Sequence, residues 1–162
     1  MTQNIPLPPK GAKSANGRAT ASCYCSAIQL EFPTEGKDLV DTFLCNCTDC
    51  RKITASMFAS NFIVNDSALT HLRGQDKLTK FSQDKTIESG NNMANYFCSK
   101  CGTLMYRVSS GFPGKSIMRI GTIDDFTLHE TLLKPRIEQF TKDRVSWLAG
   151  AKGVEQHEKA YF

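Results

Sequence analysis

No run of the roughly 18 consecutive apolar residues that a membrane-spanning helix needs occurs in these 162 residues. Residues 1–20 hold no apolar core of the kind a secretory leader carries, so export is not expected. A Gly-x-Ser-x-Gly elbow, a phosphate-cradling glycine loop and a His-Glu-x-x-His pair are all missing, which removes the hydrolase, nucleotide and metalloprotease readings those motifs carry. Charge of one sign is missing as well. The net charge of +4 is spread, with Lys and Arg alternating with Asp and Glu, and residues 1–20 contribute only Lys10, Lys13 and Arg18. A nucleic-acid surface concentrates its cations on one face, so this pattern weighs against such a partner. No segment keeps helical periodicity over three turns, and no internal repeat or low-complexity run is seen.

What the chain does have is cysteine, seven residues in three clusters. An odd number leaves one thiol over in any disulfide framework. Without an export signal the protein is expected to be intracellular and cytoplasmic, where thiols stay reduced and structural disulfides are rare. Metal ligation accounts for the cysteines better.

The length suits one domain. Residues 1–20 contain three of the six prolines and little to bury, and read as a disordered, flexible arm. Order is expected from Ala21, with a zinc-binding β domain over 21–148 and a C-terminal tail over 149–162. Ile28, Leu30 and Phe32 alternate with Gln29 and Glu31, the period of a half-buried strand. Further strands are expected at Leu39–Leu44, Phe58–Val64, Ala68–Leu72, Lys77–Ser82, Asn95–Phe97, Leu104–Val108 and Ser116–Ile123. Short helices are expected around Thr48–Ala55 and after Asp124-Asp125, read as an exposed helix cap or turn. Trp147, in the last apolar segment Arg144–Leu148, is expected to pack on the domain. The fold class is mainly β: one small domain of antiparallel sheets organised around zinc, with few short helices.

The clusters are Cys23-Tyr24-Cys25, Cys45-Asn46-Cys47-Thr48-Asp49-Cys50 and Cys98-Ser99-Lys100-Cys101. Spacing of two along an extended chain puts both sulfurs on one side. Spacing of three with a turn brings two sulfurs to one metal, and Gly102 after Cys101 can take the left-handed conformation that such a knuckle needs. Zinc closes a structural site with four thiolates and keeps a position free in a catalytic one. The ligands divide as four plus three. Cys23, Cys25, Cys98 and Cys101 complete a closed site, and Cys45, Cys47 and Cys50 supply three ligands from six consecutive residues. Asp49, His71 or His129 could add a fourth ligand to the triple. Zinc with three thiolates carries one net negative charge, so it activates water less than zinc on neutral histidines. A soft, sulfur-rich centre suits a substrate thiol, held as thiolate. Arg51 and Lys52, next in sequence, could offset the added charge or grip a substrate carboxylate.

Cys-x-Cys, then Cys-x-Cys-x-x-Cys-Arg-Lys, Phe58-Ala59 and Phe97-Cys98-x-x-Cys101-Gly102-Thr103 together resemble the glutathione-dependent formaldehyde-activating enzyme family, which includes centromere protein V. Gly121-Thr122-Ile123-Asp124-Asp125 and Arg144-Val145-Ser146-Trp147-Leu148 are similar to its C-terminal pattern, and the resemblance spans about residues 20–148. It implies two Zn²⁺ per chain, a structural one on Cys23, Cys25, Cys98 and Cys101 and a catalytic one on Cys45, Cys47 and Cys50. It also implies glutathione as co-substrate and carbon–sulfur lyase chemistry on S-hydroxymethylglutathione. Two departures stand out: Ser26 where a Gly commonly follows the first Cys-x-Cys, and Asn46 where many members have His.

Two further readings compete with a lyase acting on a small thiol adduct. One is a non-catalytic, zinc-stapled module that binds a protein or nucleic acid. The other is a second site decayed into a redox-sensitive thiol cluster. No membrane partner is expected, and a homo-oligomer is compatible with the sequence.

Overall fold

Alternating apolar and polar side chains make strands of most of the chain. The structure, a computed structural model, describes residues 12–161. In chain order the elements are β1 (Arg18–Ser22), β2 (Gln29–Pro33), β3 (Leu39–Cys45), α1 (Thr48–Thr54), β4 (Ala59–Asn65), β5 (Thr70–Arg73) and β6 (Leu78–Gln83). There follow β7 (Met93–Cys98), β8 (Leu104–Ser109), β9 (Lys115–Arg119), α2 (Thr127–Glu130), β10 (Ile137–Gln139) and β11 (Glu155–His157). All eight expected strand segments are present, and both expected helices are, so the chain is a mainly β single domain. The stretch Ser116–Ile123 is shorter as a strand than expected, because Ile120–Thr122 winds into one 3₁₀ turn.

Two sheets form, one of three strands in the order β1-β2-β5 and one of eight in the order β11-β10-β3-β4-β9-β8-β7-β6. Pairing is antiparallel except at β10, which runs parallel to both β3 and β11. Parallel neighbours need a long crossover. Here the segment after β9, including α2, supplies it.

The small sheet covers one face of the large one. Ala21, Leu30 and Phe32 meet Phe62, Met105 and Met118, and the Phe32 and Phe62 rings stand 4.7 Å apart. Alternation sends Asn61 and Ile63 of β4, Arg107 of β8, and Ile117 and Arg119 of β9 to the opposite face. A second buried cluster sits there, built from Phe43, Ile63, Ile117 and Ile137 with Cys45 and Cys50. The same alternation separates the cysteines: Cys23 and Cys98 belong to the first cluster, Cys45 and Cys50 to the second.

Three expectations are corrected. Of the arm expected over 1–20, residues 1–11 lie outside the described residues, while Ser14 binds the Asp125 carboxylate and β1 already begins at Arg18. The tail expected over 149–162 is no loose end either, because β11 extends the large sheet beside β10. Trp147 does not pack on the domain: 73% of it is exposed. Among the described residues no helix is long and apolar enough to cross a membrane.

Candidate metal centres

The first centre joins two turns from distant parts of the chain. Leaving β1, the chain turns through Cys23–Ser26, with Ser26 N–H donating to the Cys23 carbonyl at 2.9 Å. Between β7 and β8 the second turn closes through Gly102 N–H on the Cys98 carbonyl at 2.8 Å, and Gly102 takes φ 76°, the left-handed conformation expected of it. The Sγ atoms of Cys23, Cys25, Cys98 and Cys101 all fall within 4.8 Å of one another. Cys23 and Cys25 are 3.6 Å apart, Cys25 and Cys98 3.8 Å. Four sulfurs at about 2.3 Å from one zinc stand about 3.8 Å apart at tetrahedral angles, so this shell fits that ion.

Charge agrees. Burial pushes the Cys23 thiol up to about 12. Cys101 settles at about 6, burial being outweighed by the Thr103 hydroxyl and nearby backbone groups. Thiols this crowded ionise together only around a cation.

The first departure, Ser26, sits at a strained backbone position. Its φ of 58° lies in the left-handed region, which costs a residue with a Cβ about 1–2 kcal/mol. Glycine avoids that strain and loses more backbone entropy on folding. Ser26→Gly is expected to raise stability by about 0.5 kcal/mol, read from urea unfolding of the zinc-loaded protein. A clear loss would show that the hydroxyl, not the backbone, matters there.

The second centre sits on the opposite face of the large sheet. Cys45 ends β3, Cys47 caps α1, and Cys50 lies in its first turn, with Cys50 N–H donating to Cys47 Sγ at 3.4 Å. Asn46, 1% exposed, pins the loop. Its Nδ2 donates to Glu138 Oε1 at 3.0 Å and to the Gln139 carbonyl at 3.3 Å. Burial opposes ionisation of Glu138, yet Arg144, the Ala151 N–H and Asn46 hold its carboxyl below its ordinary value. The departure at Asn46 therefore serves anchoring, tying the cysteine loop to β10.

The three Sγ atoms lie within 4.8 Å of one another, and among the described residues no other thiol, imidazole or carboxylate joins them. Asp49 instead accepts from the Thr86 hydroxyl. His71 pairs with Tyr106, and His129 stacks on Phe126. Arg51 donates to the Asp143 carbonyl at 3.1 Å, and Lys52 is exposed at the end of α1. Neither lines the cleft above the sulfurs.

The cations at the triple are two that the sequence reading missed. Arg107 Nη2 donates to Cys50 Sγ at 3.6 Å, and Arg119 is buried behind it, donating to the Asn61 side-chain oxygen. Cys45 is raised above its ordinary value by its two neighbouring thiols and burial. Cys50 is lowered by the same neighbours, with Arg107 and Arg119 adding to the effect. Burial lowers Arg119 to about 10 with the help of Arg107, while for Arg107 the thiolates outweigh burial and raise it. Arg107 Nε and Arg119 Nε and Nη2 are buried without a partner among the described residues. One signal could have found them. Arg107 and Arg119 each interrupt an otherwise apolar strand, in Met-Tyr-Arg-Val and Ile-Met-Arg-Ile, and a charge inside such a run is the informative exception.

An open cleft of about 700 Å³ leads to the triple, with Cys45, Cys47 and Arg107 in its wall. The loop between β6 and β7 forms one side, and the segment after β10 together with Lys159 and Ala160 forms another. A soft donor set of three thiols at the end of a cleft fits zinc with a position for a ligand.

The profile of one protein family, described as glutathione-dependent formaldehyde-activating enzyme, matches residues 18–143. A crystal structure of a Rhodobacter sphaeroides protein superposes with a TM-score of 0.52 at 20% identity, over 65% of this chain and 88% of that one. That likeness concerns the fold. No curated protein matches the chain.

Proposed function

The chain belongs to the glutathione-dependent formaldehyde-activating enzyme family, and we propose that it makes or breaks a carbon–sulfur bond in a thiol adduct at the Cys45–Cys47–Cys50 centre. The observation that carries this reading is the triple itself, three sulfurs with no fourth protein donor among the described residues, opening on a cleft large enough for a tripeptide thiol. The Cys23–Cys25–Cys98–Cys101 shell would hold a structural zinc.

A zinc ion on the triple would supply a place for a substrate sulfur and favour its thiolate form. The residues of the chain set the charge. Three thiolates and a dication leave one negative charge, and the buried guanidinium groups of Arg107 and Arg119 turn this into one positive. An incoming thiolate then brings the buried cluster to neutrality, whereas a neutral ligand leaves it charged in a poorly solvated place. The apolar cluster of Phe43, Ile63, Ile117 and Ile137 keeps water off the inner side of the sulfurs and strengthens these interactions. The adduct exchanges by simple addition. The thiolate sulfur attacks the carbonyl carbon, the C=O π pair moves to oxygen, and the oxygen takes a proton from the open cleft. Read backwards, the hydroxyl loses its proton and the C–S bond breaks. Family membership and a tripeptide-sized cleft support glutathione as the thiol and S-hydroxymethylglutathione as one adduct.

Cys47→Ser is the direct test. Serine still caps α1, so the fold should hold while the centre loses a soft ligand. Expected are two zincs per chain by elemental analysis in the parent and one in the variant, with exchange of S-hydroxymethylglutathione lost only in the variant. Parent protein with two zincs and no turnover of any thiol adduct would leave a zinc-stapled binding module as the surviving reading. Parent protein with one zinc would point to a decayed second site.

A further inference from the structure

The cleft also bears on what the sulfur is joined to, an inference that rests on the function proposed above. One side of its wall is apolar: Phe43, Ile117 and Phe140 line it, and all three pack in the cluster that contains Cys45 and Cys50, while Arg107, Asp49 and Gln139 supply polar groups beside the triple. Met93, Phe112 and Ile87 extend the same lining. Besides Arg107, Asp49 and Asp143, the exposed Glu88, Lys142 and Lys159 bring charge of both signs to the lining. A zwitterionic peptide can pair its charged ends with these groups. A hydroxymethyl group, one carbon and one hydroxyl, would leave the apolar side of the wall uncovered.

Phe140 adds an independent observation. Its backbone is left-handed, φ 56° and ψ 42°, a conformation in which a bulky side chain is strained. It is held there from both sides, its N–H donating to the Lys159 carbonyl and its own carbonyl accepting from Asp143 N–H. Strain of this kind concentrates where a side chain serves a ligand. The position would suit glycine, yet it carries a ring in the cleft wall.

We infer that the carbon partner is an apolar aldehyde larger than formaldehyde, aliphatic or aromatic, taken up as its hemithioacetal. The thiolate sulfur bonds to the aldehyde carbon, the carbonyl π pair becomes an oxygen lone pair, and the proton released by the thiol ends on that oxygen. No oxidant or reductant enters.

Two measurements on the zinc-loaded protein decide this. In the first, the acceleration of hemithioacetal formation from glutathione is compared for formaldehyde, hexanal and benzaldehyde. The expected result is an acceleration for hexanal or benzaldehyde at least tenfold that for formaldehyde. In the second, calorimetry compares S-methylglutathione and S-hexylglutathione, thioethers that do not turn over, and the hexyl compound should bind at least tenfold tighter. Phe140→Gly should shrink that binding ratio to threefold or less while zinc content stays the same, and Phe112→Ala should shrink it independently. Equal binding of the two thioethers, or acceleration confined to formaldehyde, would overturn the inference and leave the proposed function standing. Absence of acceleration with every aldehyde would overturn the proposed function, and the thioether ratio would still decide whether the apolar subsite exists.

Discussion

Cys98→Ser should unfold the protein near body temperature, whereas Cys47→Ser should leave its stability almost unchanged. The difference follows from what each metal would link. Cys98 is fully buried, and its sulfur meets that of Cys25, 73 positions earlier in the chain. A bridge across that separation removes chain entropy worth about 4 kcal/mol from the unfolded state, and zinc binding to four cysteines adds folding free energy of its own. Domains of this size keep only about 5–15 kcal/mol in total. The triple closes six consecutive residues that β3 and α1 already hold, so its metal constrains little. Serine at position 47 accepts the same capping hydrogen bond that the cysteine accepts from Cys50 N–H. Urea unfolding of both variants, followed by circular dichroism, should separate them by about 4 kcal/mol or more. Equal destabilisation would mean that both centres are structural, and the catalytic reading would fall with that result.

Sequence and structure agree most closely where the signal is local. The strand segments show because their alternation is regular, and the turn at Gly102 shows because few residues can take its conformation. Sulfur spacing likewise separates the four from the three, since each cluster is nearly contiguous in sequence or confined to one turn. Long-range facts were out of reach. β10 is only three residues long, and it finds its place by pairing parallel to β11 and to β3, the latter across more than ninety residues. Asp124, read as part of an exposed acidic cap, is 4% exposed and accepts from Thr20, Ser22 and Gln29, sewing the small sheet to the segment after β9. Neighbouring Asp125 does serve the start of α2, taking Thr127 N–H at 3.1 Å. Two adjacent carboxylates thus have opposite environments, and only tertiary packing assigns them. The cations chosen by adjacency, Arg51 and Lys52, do not line the cleft, while Arg107 of β8, which reaches Cys50, and Arg119 of β9, whose charge acts on it, come from more than fifty residues away.

That displacement of charge leads to the sharpest expectation at the second centre. Arg107→Met keeps roughly the length and the apolar stem of the side chain and deletes one positive charge beside Cys50. With zinc on the triple, the remaining charge of Arg119 only balances the thiolate set, and an incoming substrate thiolate leaves a buried excess of one negative charge. At about 4–6 Å and an effective dielectric near 20 a single charge is worth roughly 3 kcal/mol, or about a hundredfold in rate or affinity. The loss should fall on KM for the thiol as well as on kcat, because the charge matters as soon as the sulfur arrives. KM for the aldehyde should hardly move. Arg107→Lys tests charge against hydrogen-bond geometry. If charge is what counts, lysine restores most of the thiol affinity, even though it cannot present a planar fork. Zinc content must stay at the parent value in both variants for the comparison to stand. An Arg107→Met protein with two zincs and unaltered thiol KM would show that the substrate does not arrive as an anion. The charge argument for a thiolate at this centre would then be wrong.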